Sequence, residues 1–276
     1  FIYIHINFHL TTNNDLEIFE IDELNKEKLE EICDLKQPLV FKYYVEELYD
    51  KLNIENISNY KTFDINIRNR VDYIENESNI LPLTLKEANI LFDNDSSGNY
   101  ISEYNYDFLE ETTLIKHIKT NDLFLRPNLC TECNYDIIFG STNSYTPLRY
   151  ELNYRNYIYV INGEIDIMLT MPNNAKYLDI ISDYDKFEFR SKFNPFNNDD
   201  SEKLDKVKFL NVNLKQGDII FIPFKWLYTI QIKTKDTIIC NSKYKVIMNS
   251  LAIFPQLLYK FLYNQNIKFK FLNSIK

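Results

Sequence analysis

Residues 140–156, GSTNSYTPLRYELNYRN, decide how this chain is read. Side chains two apart on a strand point to the same side, so if TPLRYEL is a strand, Arg149 and Glu151 share one face. The sequence on either side supports a strand. YDIIFGS precedes it, and YIYVINGEIDIML follows as two alternating runs joined by Asn162-Gly163, a strong two-residue hairpin signal. VKFLNVNL, DIIFIPF, LYTIQIK and DTIICNS come next at short spacing, with a second tight turn at Gln216-Gly217-Asp218. Short, evenly spaced strands over 135–245 predict a sandwich or barrel.

The first half reads differently. FIYIHINFHL alternates apolar residues at Ile2, Ile4, Ile6, Phe8 and Leu10, which predicts a strand. IDELNKEKLEEIC and VEELYDKL have helical spacing, PLVFKYY and KTFDINIRN strand spacing, and Thr84 with Glu87 makes a capping-box signature. DNDSSGN at 93–99 reads as a turn, and DFLEETTLIKHIK as a helix with His117 on its flank. The polar segment 182–206 predicts a long insertion loop. From residue 246 the helical pattern returns, with Pro255 breaking it or starting a turn of it. With no internal repeat and no linker, 1–276 reads as one domain: N-terminal strands and helices (1–134), a β core (135–245) and a helical tail (246–276).

Composition narrows the function. A net charge of −9 argues against a nucleic-acid footprint, which needs a basic patch. The final IKFKFLNSIK alternates charged and apolar residues and reads as an amphipathic edge. No apolar run approaches bilayer-spanning length. Four scattered cysteines fit a reducing compartment better than a disulfide scaffold. Cys130 and Cys133 form a lone C-x-x-C, read as two small residues in a loop before a strand, with half a zinc site as the weaker alternative. Asn and Ile are abundant, Gly is scarce at 4, and Tyr and Phe number 21 and 20, a mixture that points to an AT-rich genome. The chain does not begin with Met and reads as a trimmed, processed or partial piece.

Three segments in order carry a resemblance: GSTNSYTPLRYELNYRN, the NGE turn into IDIMLTMP, and LKQGDIIFIPFKWLYTI. They resemble the JmjC and asparaginyl-hydroxylase-like branch of the cupin superfamily, iron(II)- and 2-oxoglutarate-dependent oxygenases. The resemblance implies a mainly β fold, a double-stranded β-helix or jelly-roll with a helical N-terminal insert and C-terminal helices. It places the three metal-ligand positions at Arg149, Glu151 and Tyr228, where the family carries His, Asp or Glu, and His. A guanidinium stays protonated and offers no lone pair, so Arg149 cannot replace the first imidazole. The chain's three histidines, His5, His9 and His117, all precede the barrel strands. The basic residue that often holds 2-oxoglutarate after the hairpin is missing, because Glu164, Ile165, Asp166 and Ile167 occupy that stretch.

These departures predict a vestigial site with no catalytic residue and no metal. Arg149 is expected to replace the metal's charge by pairing with Glu151, with the Tyr228 hydroxyl as a further donor. Thr146, Asn156, Ile165, Trp226 and Asn241 are the candidate pocket. Thr146, Asn156 and Asn241 are placed to hydrogen-bond one another, and Trp226 is expected to pack at the barrel mouth. His5 and His9 read as edge residues, and His117 as exposed or as a satisfied polar contact. The expected function is an inactive structural or protein-binding module, by resemblance a virion or minor capsid component of a large DNA virus. Its setting is then the virion or host cytoplasm, its partners are proteins, and a homodimer forms through C-terminal helices. The alternatives are an iron(II)/2-oxoglutarate hydroxylase or demethylase with an atypical site, and a binder of a small anion or peptide.

Overall fold

Among the residues described by the computed structural model, namely 2–21, 24–70 and 80–274 with side chains described to 266, fifteen strands form two sheets. In chain order they are β1 Phe19–Ile21, β2 Leu39–Lys42, β3 Asp64–Asn69, β4 Ile80–Thr84, β5 Tyr100–Ser102, β6 Cys130–Gly140, β7 Arg149–Tyr150 and β8 Arg155–Asn162. There follow β9 Glu164–Thr170, β10 Ile181–Asp183, β11 Glu188–Arg190, β12 Leu210–Lys215, β13 Asp218–Phe221, β14 Leu227–Ile232 and β15 Ile238–Val246. The larger sheet runs β1-β2-β13-β8-β15-β6-β5-β3-β4, and the smaller runs β10-β11-β7-β14-β9-β12. The architecture is mainly β with flanking helices, as expected.

The period of two in these strands sorts the core. Ile158, Val160, Ile165, Ile167, Leu169, Ile220, Ile230 and Ile232 turn inward from both sheets and close the barrel interior. The alternate positions of the larger sheet, such as Tyr157, Tyr159, Ile219 and Cys240, face outward but are buried under helical residues such as Leu29 and Leu48. Both faces of β8 are therefore covered, which is why its burial is nearly continuous. The β8–β9 hairpin turns at Gly163, whose φ of +86° suits the residue that carries no Cβ. The capping box forms as read: Thr84 Oγ1 accepts from Glu87 N–H at 3.3 Å, and Glu87 Oε2 accepts from Thr84 N–H at 3.1 Å.

Several expectations fail. Ile2–Leu10 is a helix, not a strand. Its alternation encodes no buried face, since Ile2, Tyr3 and Ile4 are 58%, 80% and 69% exposed. Packing against the helix Ile247–Ala252 and the burial of His9 decide its conformation instead. Segment 106–121 is two helices, Tyr106–Glu111 and Ile115–Asn121, broken where Thr113 takes a φ of +61°. Cys130 and Cys133 lie within β6 rather than in a loop before it. Between them a β-bulge at Thr131 lets Glu132 face Lys245 while Cys130 faces Val246. The extra residue restores the phase, so the two sulfurs meet at 3.5 Å.

The polar segment 182–206 is no structureless insertion. It supplies the end of β10, all of β11 and the short helix Ser201–Leu204, and β11 joins the smaller sheet beside β7. The tail is helical over Phe254–Ser274, with Pro255 in its first turn, so the predicted amphipathic edge is backbone helix as far as Ser274, and its last two residues lie outside the described residues. The side chains of that edge, from 267 on, lie outside the described residues.

Candidate functional site

Residue 149 opens the two-residue strand β7, which is paired on both sides. Arg149 stands opposite Tyr228 of β14 on one side and Arg190 of β11 on the other. Two residues on, Glu151 follows Arg149 inward, and the Tyr228 hydroxyl donates to Glu151 Oε1 at 2.9 Å. The three positions singled out in the sequence therefore converge at one end of the space between the sheets.

The expected Arg149–Glu151 pair is present but is the weakest of Arg149's ion pairs. Arg149 Nε lies 4.0 Å from Glu151 Oε1, while the guanidinium fork reaches past it. Its Nη1 donates to Glu103 Oε1 at 2.9 Å and Glu188 Oε1 at 2.8 Å, and Nη2 donates to Glu103 Oε2 at 2.6 Å. Arg68, from β3 of the opposite sheet, bonds the same two carboxylates, with Nη2 3.2 Å from Glu188 Oε2. Arg190 extends the chain, at 3.4 Å from Glu188 and 3.3 Å from Asp183. Side-chain length accounts for Glu103, because the longer Arg149 spans the gap to the facing sheet, while Glu188 stands beside it on β11 of the same sheet.

Glu151 finds other partners. Lys243 Nζ of β15 is 2.8 Å from its Oε1, and Asn153 Nδ2 donates to its Oε2 at 2.8 Å. Burial alone would raise the Glu151 carboxyl, but Lys243, then Arg149, hold it below the usual carboxylate range. Burial would lower the Lys243 amine, and Glu151 overrides it to about 12. Burial and then the Glu151 charge push the Tyr228 phenol up to about 12, so it stays a neutral donor. In Glu103, burial is overcome by Arg149 and then Arg68, and the carboxyl is held low.

Arg68, Glu103, Arg149, Glu188 and Arg190 are each at most 4% exposed, so this is a desolvated ion network. Such networks persist when every charge is met, and the removal of one member is costly.

The candidate pocket residues divide. Asn241 Nδ2 donates to Asn156 Oδ1 at 2.6 Å, as anticipated. Thr146 is not with them: its Oγ1 accepts from Ile230 N–H at 2.9 Å and its carbonyl accepts from the Thr229 hydroxyl at 2.6 Å, which ties its loop to β14. Ile165 is fully buried in the apolar interior. Trp226, just before β14, is 1% exposed and packs in the same apolar cluster. His9 is buried rather than at an edge, and His117 Nδ1 lies 3.5 Å from Glu47 Oε1, a polar contact.

Glu103, Glu188, Arg68, Arg190 and Lys243 are the site residues that reading the sequence missed. A signal existed for two of them, because Phe187, Glu188, Phe189 and Arg190 alternate inside a segment otherwise too polar to read as a strand. Arg68 lies on a recognised strand, but on a face whose partner sheet was not predictable, and Lys243 falls just past the end of the recognised run DTIICNS, on the part of β15 that extends to Val246. Glu103 follows a three-residue strand and carries no local signal.

A family model described as a cupin-like domain matches residues 45–250. None of the curated proteins compared with the chain matches it.

Proposed function

The chain belongs to the cupin-like domain family, and on that premise we propose that it is a module which has given up oxygenase chemistry and serves as a structural or protein-binding part. The observation that carries this reading is the guanidinium of Arg149 locked onto Glu103 and Glu188 at the first metal-ligand position. A non-haem iron site needs two neutral imidazoles and a carboxylate with open positions beside them. Here the first position holds a fixed cation with no lone pair. The second holds a carboxylate engaged by Lys243, Tyr228 and Asn153. The third holds a phenol that stays protonated. This donor set does not fit ferrous ion, and the internal cations supply the charge a metal would bring.

The finer reading is a virion or minor capsid component of a large DNA virus, working in the virion or host cytoplasm among protein partners. Its support is the Asn-, Ile- and Tyr-rich composition together with the divergence from the family's ligand pattern. A contact face is at hand: Phe254, Leu258, Tyr259, Phe261 and Leu262 are exposed on the C-terminal helix, next to exposed Ile247 and Leu251. A second copy of the chain is the proposed occupant, with Leu262→Glu expected to shift sedimentation toward the monomer.

The decisive test is metal analysis of the purified chain after incubation with ferrous ion, followed by oxoglutarate-to-succinate turnover. Background iron and no succinate are expected. Stoichiometric iron with turnover would establish the atypical hydroxylase or demethylase instead.

A further inference from the structure

An open cleft of about 460 Å³ separates β12, which ends the smaller sheet, from β1, which ends the larger. Ile18, Val40, Leu210 and Val212 form its floor, half-buried and packed on the apolar interior. The ladder between β9 and β12 fixes which main-chain groups face this cleft. Glu164 and Lys215 stand opposite one another, but their main chains turn apart. The Glu164 carbonyl accepts from Lys233 N–H at 3.0 Å on the β14 side, and Lys215 N–H donates to Asp218 Oδ2 at 2.8 Å. Opposed residues in an antiparallel ladder alternate between bonded and unbonded pairs. Asn213 and Asn211 hold the next unbonded positions, opposite Asp166 and Met168, so their N–H and C=O groups point away from β9 and into the cleft.

Across the cleft, Phe19 N–H donates to the Pro38 carbonyl at 2.9 Å, which commits Phe19 to β2 and leaves Glu20 facing the other way. Among the described residues, the main-chain groups of Glu20, Asn211 and Asn213 have no hydrogen-bond partner. Natural sheets blunt their open edges, and two other edges here do so: β4 carries Pro82, and β10 has only 3 residues. β12 has 6 residues and no proline. Its edge stands open along both asparagines.

We propose that the cleft takes an extended peptide segment of a partner protein, which adds to β12 through main-chain hydrogen bonds. Asn211 and Asn213 each offer it a donor and an acceptor, a pattern that another strand matches and a compact ligand does not. Alternate side chains of that segment then point down onto Ile18, Val40, Leu210 and Val212, so small apolar residues fit there. A second copy's β12 is not the occupant, because it carries its own β9 alongside and β1 stands in that place. The inference deepens the reading of the chain as a protein-binding part by naming the form its partner presents.

The test uses the full chain, deuterated and nitrogen-15 labelled, with amide exchange followed by NMR. The probe is acetyl-Thr-Val-Thr-Val-Thr-amide. Its control is the same peptide N-methylated at every residue, which keeps the side chains and loses the donors. In the free chain, the Asn211 and Asn213 amides should exchange at least about tenfold faster than those of Val212 and Leu214, which bond to β9. The probe should slow both asparagine amides at least about tenfold, and the control should not. Asn211→Pro removes one edge N–H without touching the β9 ladder and should abolish protection at Asn213, while Asn211→Ala should keep it. Exchange in the wild-type chain decides the matter even if the proline variant does not fold. Asparagine amides already as protected as Val212 in the free chain, no protection by about 10 mM probe, or equal protection by the control would overturn the proposal. None of these readings depends on iron or turnover, so a chain that fails here and still takes up no iron remains an inactive structural part.

Discussion

Arg149 grips Glu103 across 46 residues of sequence with two parallel hydrogen bonds, Nη1 to Oε1 at 2.9 Å and Nη2 to Oε2 at 2.6 Å. The pair bridges the two sheets, since Arg149 opens β7 and Glu103 follows β5. A fork-to-fork contact of this kind depends on the planar guanidinium, which a lysine point charge does not reproduce.

Arg149→Met should therefore leave Glu103 and Glu188 sharing Arg68 and should destabilise the fold by about 3–5 kcal/mol, the usual cost of breaking a buried ion pair. Adding Glu103→Gln removes the surplus charge and should recover much of that loss, while Arg149→Lys should recover little. Urea midpoints of the four proteins check this. A loss below about 1 kcal/mol for Arg149→Met would place its guanidinium in water, as for an exposed pair.

Restoring the family's imidazoles should not by itself rebuild a metal site, because Glu151 would still be held by Lys243 at 2.8 Å. In an Arg149→His, Glu103→Gln, Tyr228→His background, adding Lys243→Ala should strengthen cobalt(II) binding at least about tenfold, or ~1.4 kcal/mol. Cobalt(II) visible absorption reads this directly. Equal affinity with and without Lys243 would show that the lysine does not compete for the carboxylate.

Two turn glycines separate conformational strain from steric clash. Gly163 and Gly217 have φ values of +86° and +89°. A Cβ on Gly163 would stand 2.3 Å from Thr237 Oγ1 and 2.7 Å from Thr234 Oγ1, whereas one on Gly217 meets nothing within 4 Å. Gly217→Ala should cost only the left-handed backbone term, about 1 kcal/mol. Gly163→Ala should cost clearly more, since Thr237 is buried and cannot swing away freely. Thermal midpoints that fall equally would mean that the threonines move at no cost.

The barrel was legible because its signals are local: alternation, an Asn-Gly turn, a capping box. The convergence of 149, 151 and 228 was legible too, because strand spacing and motif order fix which side chains face inward. Which carboxylates hold Arg149 most closely was not. That depends on two sheets meeting face to face, and on Glu103 and Glu188, which lie in a loop and a three-residue strand without the periodicity that marks longer elements. Ile2–Leu10 misled for the opposite reason. Its alternation was strong, but no sheet edge receives it, and helix packing set its form.

His9 offers a test of that packing through pH. Its ring is buried, stands edge-on to Tyr154 at 4.8 Å, and lies near Lys36 and Arg155. Burial, then Lys36 and Arg155, lower it from its ordinary 6.5 to about 4. Between those values the unfolded chain binds a proton that the folded chain refuses, so stability rises with pH across that window. The contribution is complete above about 6.5 and shrinks as pH falls toward about 4, where at most about 3 kcal/mol has been lost. Buried carboxylates such as Glu188 lose stability in the same direction, so the histidine must be isolated by difference. His9→Phe keeps a ring against Tyr154 and removes the titration. The gap between wild-type and His9→Phe urea midpoints should shift in favour of the variant as pH drops from 7 to 4.5. Parallel curves over that range would mean that His9 accepts its proton in the folded state, and that the N-terminal helix leaves it open to water.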